Sequence, residues 1–348
     1  MTFAKRILFA LNLLLFFPVF IFSAQAQSQS EPDAPIKLGS TLVSVPVIVS
    51  DRNGRYIGGL KVEDFTLYKD GARQSIAFFA TEEEPLNIAL LLDTSRSTTD
   101  VLDEIKDRAK DFLKQLKPQD RALIVTFDYD VHVLTALTSN RKELEQGIKR
   151  AGIGEYVGTT LRDAVFEVFD KHFKNVSGRK AIILLTDGKD HGSNVTTDEL
   201  MDAAAESDAM VYSIFYATNQ PNFRMRDRRP FPPITRRGGG NRRFPLMNQQ
   251  FLSPQFPDRN QRPQRRQQQN QNAQEFLQEL SNVSAGRFYE GEVSDLKMNF
   301  ALIADELRHQ YRLGFYPDGE RQEGSTHKIK VEVAKPQVVV RARRSYTD

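Results

Sequence analysis

Four apolar runs without polar alternation divide the middle of the chain. They comprise residues 88–92, 122–127, 181–185 and 210–216. Such runs are typical of strands that are buried on both faces of a mostly parallel sheet. The segments between them carry apolar residues at helical spacing, as in residues 102–116. This alternation predicts a doubly wound α/β sheet over residues 87–217, with residues 131–138 as an antiparallel edge strand.

The two ends of the chain show a different pattern, in which apolar and polar residues alternate. Residues 41–50 carry valine at every second position, and residues 328–333 and 338–342 are also typical of strands. Neither end is long enough to bury a core alone. We therefore predict that residues 36–84 and 311–346 pair with each other in a β-sandwich-like module, and that an α/β domain of residues 87–310 is inserted between them.

The first residues have the features of an export signal. Lys5 and Arg6 precede an apolar run over residues 7–22, and Ala24-Gln25-Ala26 follows it. This order predicts a secretory signal peptide, residues 1–26, cleaved after Ala26. An uncleaved membrane anchor is the alternative, although the run is shorter than the roughly 20 residues of a membrane span. Either case predicts an exported protein, periplasmic or extracellular, and the absence of cysteine fits a bacterial envelope protein.

Composition narrows the chemistry that the chain can perform. The 348 residues contain no cysteine, which excludes disulfides, zinc–thiolate sites, iron–sulfur clusters and cysteine nucleophiles. The net charge of +3 conceals a basic stretch at residues 218–273, where twelve arginines and two aspartates give +10. Glutamine, asparagine, proline and glycine make up half of this stretch. We predict that it is a disordered insert, because it has little apolar surface to bury.

Polar oxygen-bearing residues follow the predicted parallel strands. Asp93, Ser95 and Ser97 alternate directly after the first buried strand. Residues 158–160 (Gly-Thr-Thr) and 186–188 (Thr-Asp-Gly) form two further loops that we expect at the same edge, where open α/β sheets bind ligands. Carboxylate and hydroxyl oxygens suit a hard divalent cation such as Mg²⁺.

These three loops resemble the metal-ion-dependent adhesion site of von Willebrand factor A (VWFA) domains. The pattern is D-x-S-x-S, then a threonine after glycine, then T-D-G at a strand end. The resemblance covers about residues 87–310 and implies five metal ligands: Asp93, Ser95, Ser97, Thr159 and Asp187. Thr159 fits better than Thr160, because the family spacing G-T-x-L-x-D-A matches Gly158, Thr159, Leu161, Asp163 and Ala164. With its flanking strands, residues 40–346, the chain is similar to the secreted VWFA-related proteins of acidobacteria.

The resemblance implies binding rather than catalysis. Mg²⁺, or Mn²⁺, would be held by the five side chains and would bridge to an Asp or Glu of a protein partner in a cell-adhesion or protein-binding function. No small-molecule substrate is predicted. The alternative is a structural or assembly subunit with a vestigial metal site, which binds an anionic surface or polymer through the arginine-rich loop of residues 218–273.

Two further interpretations remain at this stage. Asp93 and Asp187 could serve only to cap loops and helices, as Asp and Ser often do. A hydrolase would need a serine in a G-x-S-x-G turn together with histidine and acid partners. Ser95 lacks those glycines, and the five histidines form no H-E-x-x-H motif.

Overall fold

The computed structural model describes residues 42–81, 84–218, 261–318 and 324–347, with backbone only for residues 261–266. The predicted signal peptide therefore lies outside the described residues. In the described part of the chain no helix is long and apolar enough to cross a membrane. Residues 41–348 form one compact unit.

Strands predominate at both ends of this unit, and strands and helices alternate between them. The strands are β1 (Val43–Asp51), β2 (Phe65–Lys69), β3 (Ala72–Gln74), β4 (Phe78–Ala80), β5 (Leu86–Asp93), β6 (Arg121–Phe127), β7 (Val131–Thr138), β8 (Arg179–Thr186), β9 (Ala209–Tyr216), β10 (Arg287–Gly291), β11 (Gln310–Phe315), β12 (Thr326–Val333), β13 (Val338–Ala342) and β14 (Ser345–Thr347). The helices are α1 (Leu102–Leu113), α2 (Arg141–Arg150), α3 (Leu161–Glu167), α4 (Thr197–Glu206), α5 (Gln261–Val283) and α6 (Leu296–Arg308). A π-helical turn, Val168–Phe173, continues α3.

A six-stranded sheet forms the centre of the molecule, in the order β10-β9-β8-β5-β6-β7. All neighbours are parallel except β6 and β7, which are antiparallel. The α/β fold and the edge position of β7 are thus confirmed. Every residue of β5, β8 and β9 is buried, which explains why these strands lack polar alternation.

Helices cover both faces of this sheet. Because side chains alternate along a strand, Ile88, Leu90 and Leu92 of β5 pack with α1, α2 and α6, whereas Ala89 and Leu91 pack with α3, α4 and α5. The result is a three-layer arrangement with helices on both faces of one sheet. The loops at the carboxyl ends of the parallel strands lie where open α/β sheets bind ligands.

The terminal strands form two further sheets, β13-β1-β11-β4 and β14-β12-β2-β3. Each contains strands from both ends of the chain: β1 pairs with β11 and β13, and β2 pairs with β12. The valines of β1 share one apolar core with Phe65, Leu67, Ile329 and Val331 of the facing sheet. The predicted β-sandwich of N- and C-terminal strands is confirmed.

A buried glutamate of α6 connects this sandwich to the central sheet. Glu306 is fully buried and accepts hydrogen bonds from Tyr212 of β9 (2.8 Å) and from Tyr56 (2.9 Å). It also pairs with Arg341 of β13 and, at 3.2 Å, with Arg287 of β10. We call these five residues the Glu306 cluster. Each oxygen of its carboxylate meets one tyrosine and one arginine.

The prediction of a disordered insert is corrected at its C-terminal end. Residues 261–273 form the first half of α5, whereas residues 219–260 lie outside the described residues. Gln, Arg and Ala favour helix, and proline is tolerated in a first helical turn. Ala273, Leu277 and Leu280 lie on one buried stripe of this helix and pack on the central sheet. Packing of that stripe extends the helix back into the polar stretch.

Candidate metal centre

The first loop of the candidate site begins at the last residue of the central strand β5. Asp93 is fully buried and lies between the ends of β8 and β6. The backbone N–H of Ser95 donates to Asp93 Oδ1 at 3.0 Å, which folds the loop back over the strand end. The hydroxyls of Ser95 and Ser97 are 3.0 Å apart. Three of the predicted ligands therefore lie together.

The third loop meets the first across the boundary between β5 and β8. Thr186, the last residue of β8, donates its hydroxyl hydrogen to Asp93 Oδ2 at 2.7 Å. Asp187 follows directly and is 2 % exposed. Gly188 has a φ of +74°, and a Cβ at this position would lie 2.7 Å from the Cβ of Ala273 in α5. Glycine is therefore required for the chain to turn there.

Asp187 has its own set of partners in the structure. Its Oδ2 accepts a hydrogen bond from the hydroxyl of Thr218, at 2.7 Å, and forms an ion pair with the ammonium group of Lys189. Lys189 Nζ also donates to Thr218 Oγ1 at 3.2 Å. The hydroxyl of Ser97 contributes a further hydrogen bond that lowers the pKa of Asp187. This last contact joins the first loop to the third.

The second loop lies at the same edge but is held differently. Thr159 is buried, and its carbonyl oxygen accepts from the N–H of His191 at 3.0 Å. Among the described residues, its hydroxyl makes no hydrogen bond with the other four predicted ligands. The hydroxyl of Thr160 instead donates to the carbonyl of Asp128 at 3.2 Å. The structure thus brings Asp93, Ser95, Ser97 and Asp187 into one hydrogen-bonded group, with Thr159 beside it.

The two buried carboxylates of this edge, Asp93 and Asp187, have too little positive charge nearby to neutralise both. Burial, and then the charge of Asp187, raise the pKa of Asp93 to about 7. Burial also acts to raise the pKa of Asp187, but Lys189 and the hydroxyls of Thr218 and Ser97 bring it below its ordinary value. Tyr216, at the end of β9, is buried with no partner for its hydroxyl among the described residues. Its pKa is raised first by burial and then by the charges of Asp93 and Asp187.

This donor set fits a divalent cation of the Mg²⁺ type. Two carboxylates and three hydroxyls are hard oxygen ligands, and an added cation would relieve the repulsion between Asp93 and Asp187. In the part of the chain that the structure describes, no point is surrounded by three or more His, Cys, Asp or Glu side chains. A site rich in acids or histidines is therefore not what this edge provides.

Sequence reasoning did not find Lys189 or Thr218 as neighbours of the candidate ligands. Lys189 is two residues from Asp187, but nothing in the pattern shows that its ammonium group turns back onto that carboxylate. Thr218 is 31 residues further along the chain, at the end of the segment that follows β9. Only the sheet order, which places β9 next to β8, brings it to Asp187.

Comparison with known proteins identifies the central region. Residues 87–227 match the family model of the von Willebrand factor type A domain, a range that includes all five predicted ligands. A search of curated proteins finds no match.

Several solved structures are similar at low sequence identity. BatB from Bacteroides thetaiotaomicron has 19 % identity and a TM-score of 0.43, over 64 % of this chain and 98 % of that one. The zinc-occupied MIDAS form of proximal thread matrix protein 1 from the mussel byssus has 12 % identity and a TM-score of 0.46, over 68 % and 49 %. The vWF domain of the type V pili tip protein Mfa5 from Porphyromonas gingivalis has 17 % identity and a TM-score of 0.37, over 64 % and 94 %.

Proposed function

Since the chain carries a von Willebrand factor type A domain, we propose that it is an exported protein-binding or adhesion module that depends on a divalent cation. The proposal places Mg²⁺, or Mn²⁺, between Asp93, Ser95, Ser97, Thr159 and Asp187. The observation that carries it is the pair of buried carboxylates at the ends of β5 and β8, where burial and then the charge of Asp187 raise the pKa of Asp93 to about 7.

The residues of the edge account for recognition of an acidic partner. Three hydroxyls and two carboxylates make five ligands, one fewer than the six of an octahedral Mg²⁺. When bound, the cation would supply an open coordination position for one more oxygen. Ser97 lies partly exposed on the first loop, which sets the open side of the site towards solvent. An Asp or Glu side chain of a partner protein fits that side.

We infer that this edge does not catalyse a reaction. Ser95 Oγ lies against Ser97 Oγ, and among the described residues no histidine forms a hydrogen bond with either serine. A serine nucleophile would need such a base within hydrogen-bond distance. The proposal that the protein is exported depends on the signal peptide predicted at residues 1–26.

Thermal unfolding of the chain without residues 1–26, with and without millimolar Mg²⁺ or Mn²⁺, tests the metal site. A ligand that binds only the native state raises its stability by mass action. We expect a higher unfolding temperature with metal for the wild type and no increase for Asp187→Ala. Asp190→Ala is the matched control, because Asp190 lies on the same loop but pairs with Arg162 and Ser193. No metal response in the wild type would contradict the proposal.

A second candidate function uses the basic stretch of residues 218–273, with its local charge of +10. It would bind an anionic surface or polymer, with the metal site vestigial. Such binding would survive EDTA and Asp187→Ala, but would weaken steeply with salt and disappear on deletion of residues 219–260. Adhesion through the metal would show the opposite behaviour.

A further inference from the structure

We propose that Lys189 is a built-in counter-ion of the candidate metal centre, so that a divalent cation binds there by displacing the ammonium group of Lys189 from Asp187. The inference rests on the proposed function, because it concerns how the same edge takes up its metal. It assigns to Lys189 the role of setting the affinity of the site.

The contacts of Lys189 place its charge on a predicted metal ligand. Its ammonium group forms an ion pair with Asp187 Oδ2 and donates to Thr218 Oγ1 at 3.2 Å. The hydroxyl of Thr218 in turn donates to the same carboxylate oxygen at 2.7 Å. Asp187 Oδ2 therefore already has two donors, one of them charged.

The other acid of the site has no such cation. Asp93 accepts hydrogen bonds from the backbone of Ser95 and the hydroxyl of Thr186, both of which are neutral donors. Lys189 is thus the only cationic side chain that pairs with either carboxylate in the described part of the chain. Without metal, one ammonium group is available for two buried acids, and it pairs only with Asp187.

Lys189 is placed so that it can leave. Its side chain is 22 % exposed, whereas that of Asp187 is 2 % exposed, so part of the lysine side chain already reaches solvent. The long flexible lysine side chain can return to water without moving the backbone. The backbone N–H of Lys189 remains directed at Asp187 Oδ1, at 3.3 Å, and keeps the loop in place. Thr218 can also keep its hydrogen bond to Oδ2.

Displacement of this ion pair opposes metal binding. Removing the positive charge of Lys189 should therefore tighten the site, and we expect the dissociation constant for Mg²⁺ to fall by about tenfold in Lys189→Gln. The same substitution should lower the unfolding temperature of the metal-free protein, because Asp187 loses its partner. A lysine with a purely structural role would produce the second effect without the first.

Isothermal titration of Mg²⁺ and Mn²⁺ into the wild type, Lys189→Gln and Lys189→Arg tests the exchange, with thermal unfolding of each as the second readout. Lys189→Arg keeps the charge and should keep a weak affinity close to that of the wild type. Arg96→Gln is the control for a general field effect, since it removes one charge between Ser95 and Ser97 while its guanidinium contacts the carbonyl of Glu155 rather than Asp187. We expect Arg96→Gln to change the affinity by less than about threefold, because an exposed charge is screened by solvent and salt.

The outcomes separate the inference from the function on which it rests. Tighter binding in Lys189→Gln alone supports the exchange. Metal binding by the wild type with equal or weaker binding in Lys189→Gln overturns the exchange and leaves the metal site intact. An equal gain in Lys189→Gln and Arg96→Gln also overturns it, in favour of a general electrostatic effect. No metal binding by any variant, Lys189→Gln included, overturns both the exchange and the proposed function.

Discussion

Two groups of buried carboxylates in this molecule are built in opposite ways. Glu306 is fully buried, and its two oxygens meet two arginines and two tyrosines from four other segments of the chain. Asp93 and Asp187 are both buried, and in the described part of the chain only Asp187 pairs with a cation, Lys189. The first group has its charge fully compensated, whereas the second has a deficit of positive charge.

The position of each group in the fold explains this difference. The Glu306 cluster lies where α6, β9 and β10 meet Tyr56 and β13 of the sandwich, so neighbouring elements supply donors from several directions. Asp93 is the last residue of β5 and Asp187 directly follows β8, so both lie where these strands pass into loops. A closed cluster like that of Glu306 stabilises a fold, while an acidic pair with too little positive charge can still accept an external cation.

The largest expected effect on stability comes from a substitution that breaks the Glu306 cluster. Glu306→Gln leaves Arg341 and Arg287 without their carboxylate, and we expect a loss of about 3 kcal/mol in the free energy of unfolding. We take the low end of the usual range because both arginines are partly exposed. Urea unfolding without metal measures it. Glu332→Gln, which breaks an exposed pair with Lys330 on β12, is the control and should change little.

The response to metal should be unaffected by that change. If Glu306→Gln abolished the rise in unfolding temperature with Mg²⁺, the two groups would be coupled and the comparison would not hold. A change in the free energy of unfolding below about 1 kcal/mol would show that the arginines are well solvated without Glu306.

The sequence predicted the architecture well because the burial of a strand determines which of its positions are apolar. The runs that became β5, β6, β8 and β9, and the alternation in β1, follow directly from which faces are covered. The candidate loops were also predicted, since strand ends fix where residues such as Asp93 and Asp187 must lie. The Glu306 cluster and the contact between Lys189 and Asp187 were not predicted. Periodicity shows that a residue is buried, but not which distant side chain it meets.

The same acid-to-amide substitution should have a much smaller effect on stability at the open edge. Asp93→Asn removes the repulsion from Asp187, which favours folding, but its amide places an NH2 group against one of the two donors, Ser95 or Thr186. Because these effects oppose each other, we expect the metal-free free energy of unfolding to change by less than about 1 kcal/mol. The rise in unfolding temperature with Mg²⁺ should disappear.

Calorimetric titration with Mg²⁺, next to urea unfolding, measures both parts of that prediction. A destabilisation as large as that of Glu306→Gln would mean that Asp93 holds the loops together by itself. The edge would then be a closed structural group like the Glu306 cluster, and the distinction between the two regions would be lost.

Two adjacent threonines of the second loop provide the last comparison, in which Thr159→Val should have the smallest effect on stability. Thr159→Val removes a hydroxyl that makes no hydrogen bond with the other predicted ligands in the described structure, so the metal-free protein should be as stable as the wild type. Thr160→Val removes the hydrogen bond to the carbonyl of Asp128 and should cost about 1 kcal/mol in the free energy of unfolding.

For metal affinity the order of the two variants reverses, because Thr159 is the predicted ligand. We expect the dissociation constant for Mg²⁺ to rise by about tenfold in Thr159→Val and to change little in Thr160→Val. Weaker metal binding in Thr160→Val alone would show that Thr160, rather than Thr159, is the ligand. Unchanged binding in both variants would reduce the site to the two loops that follow β5 and β8.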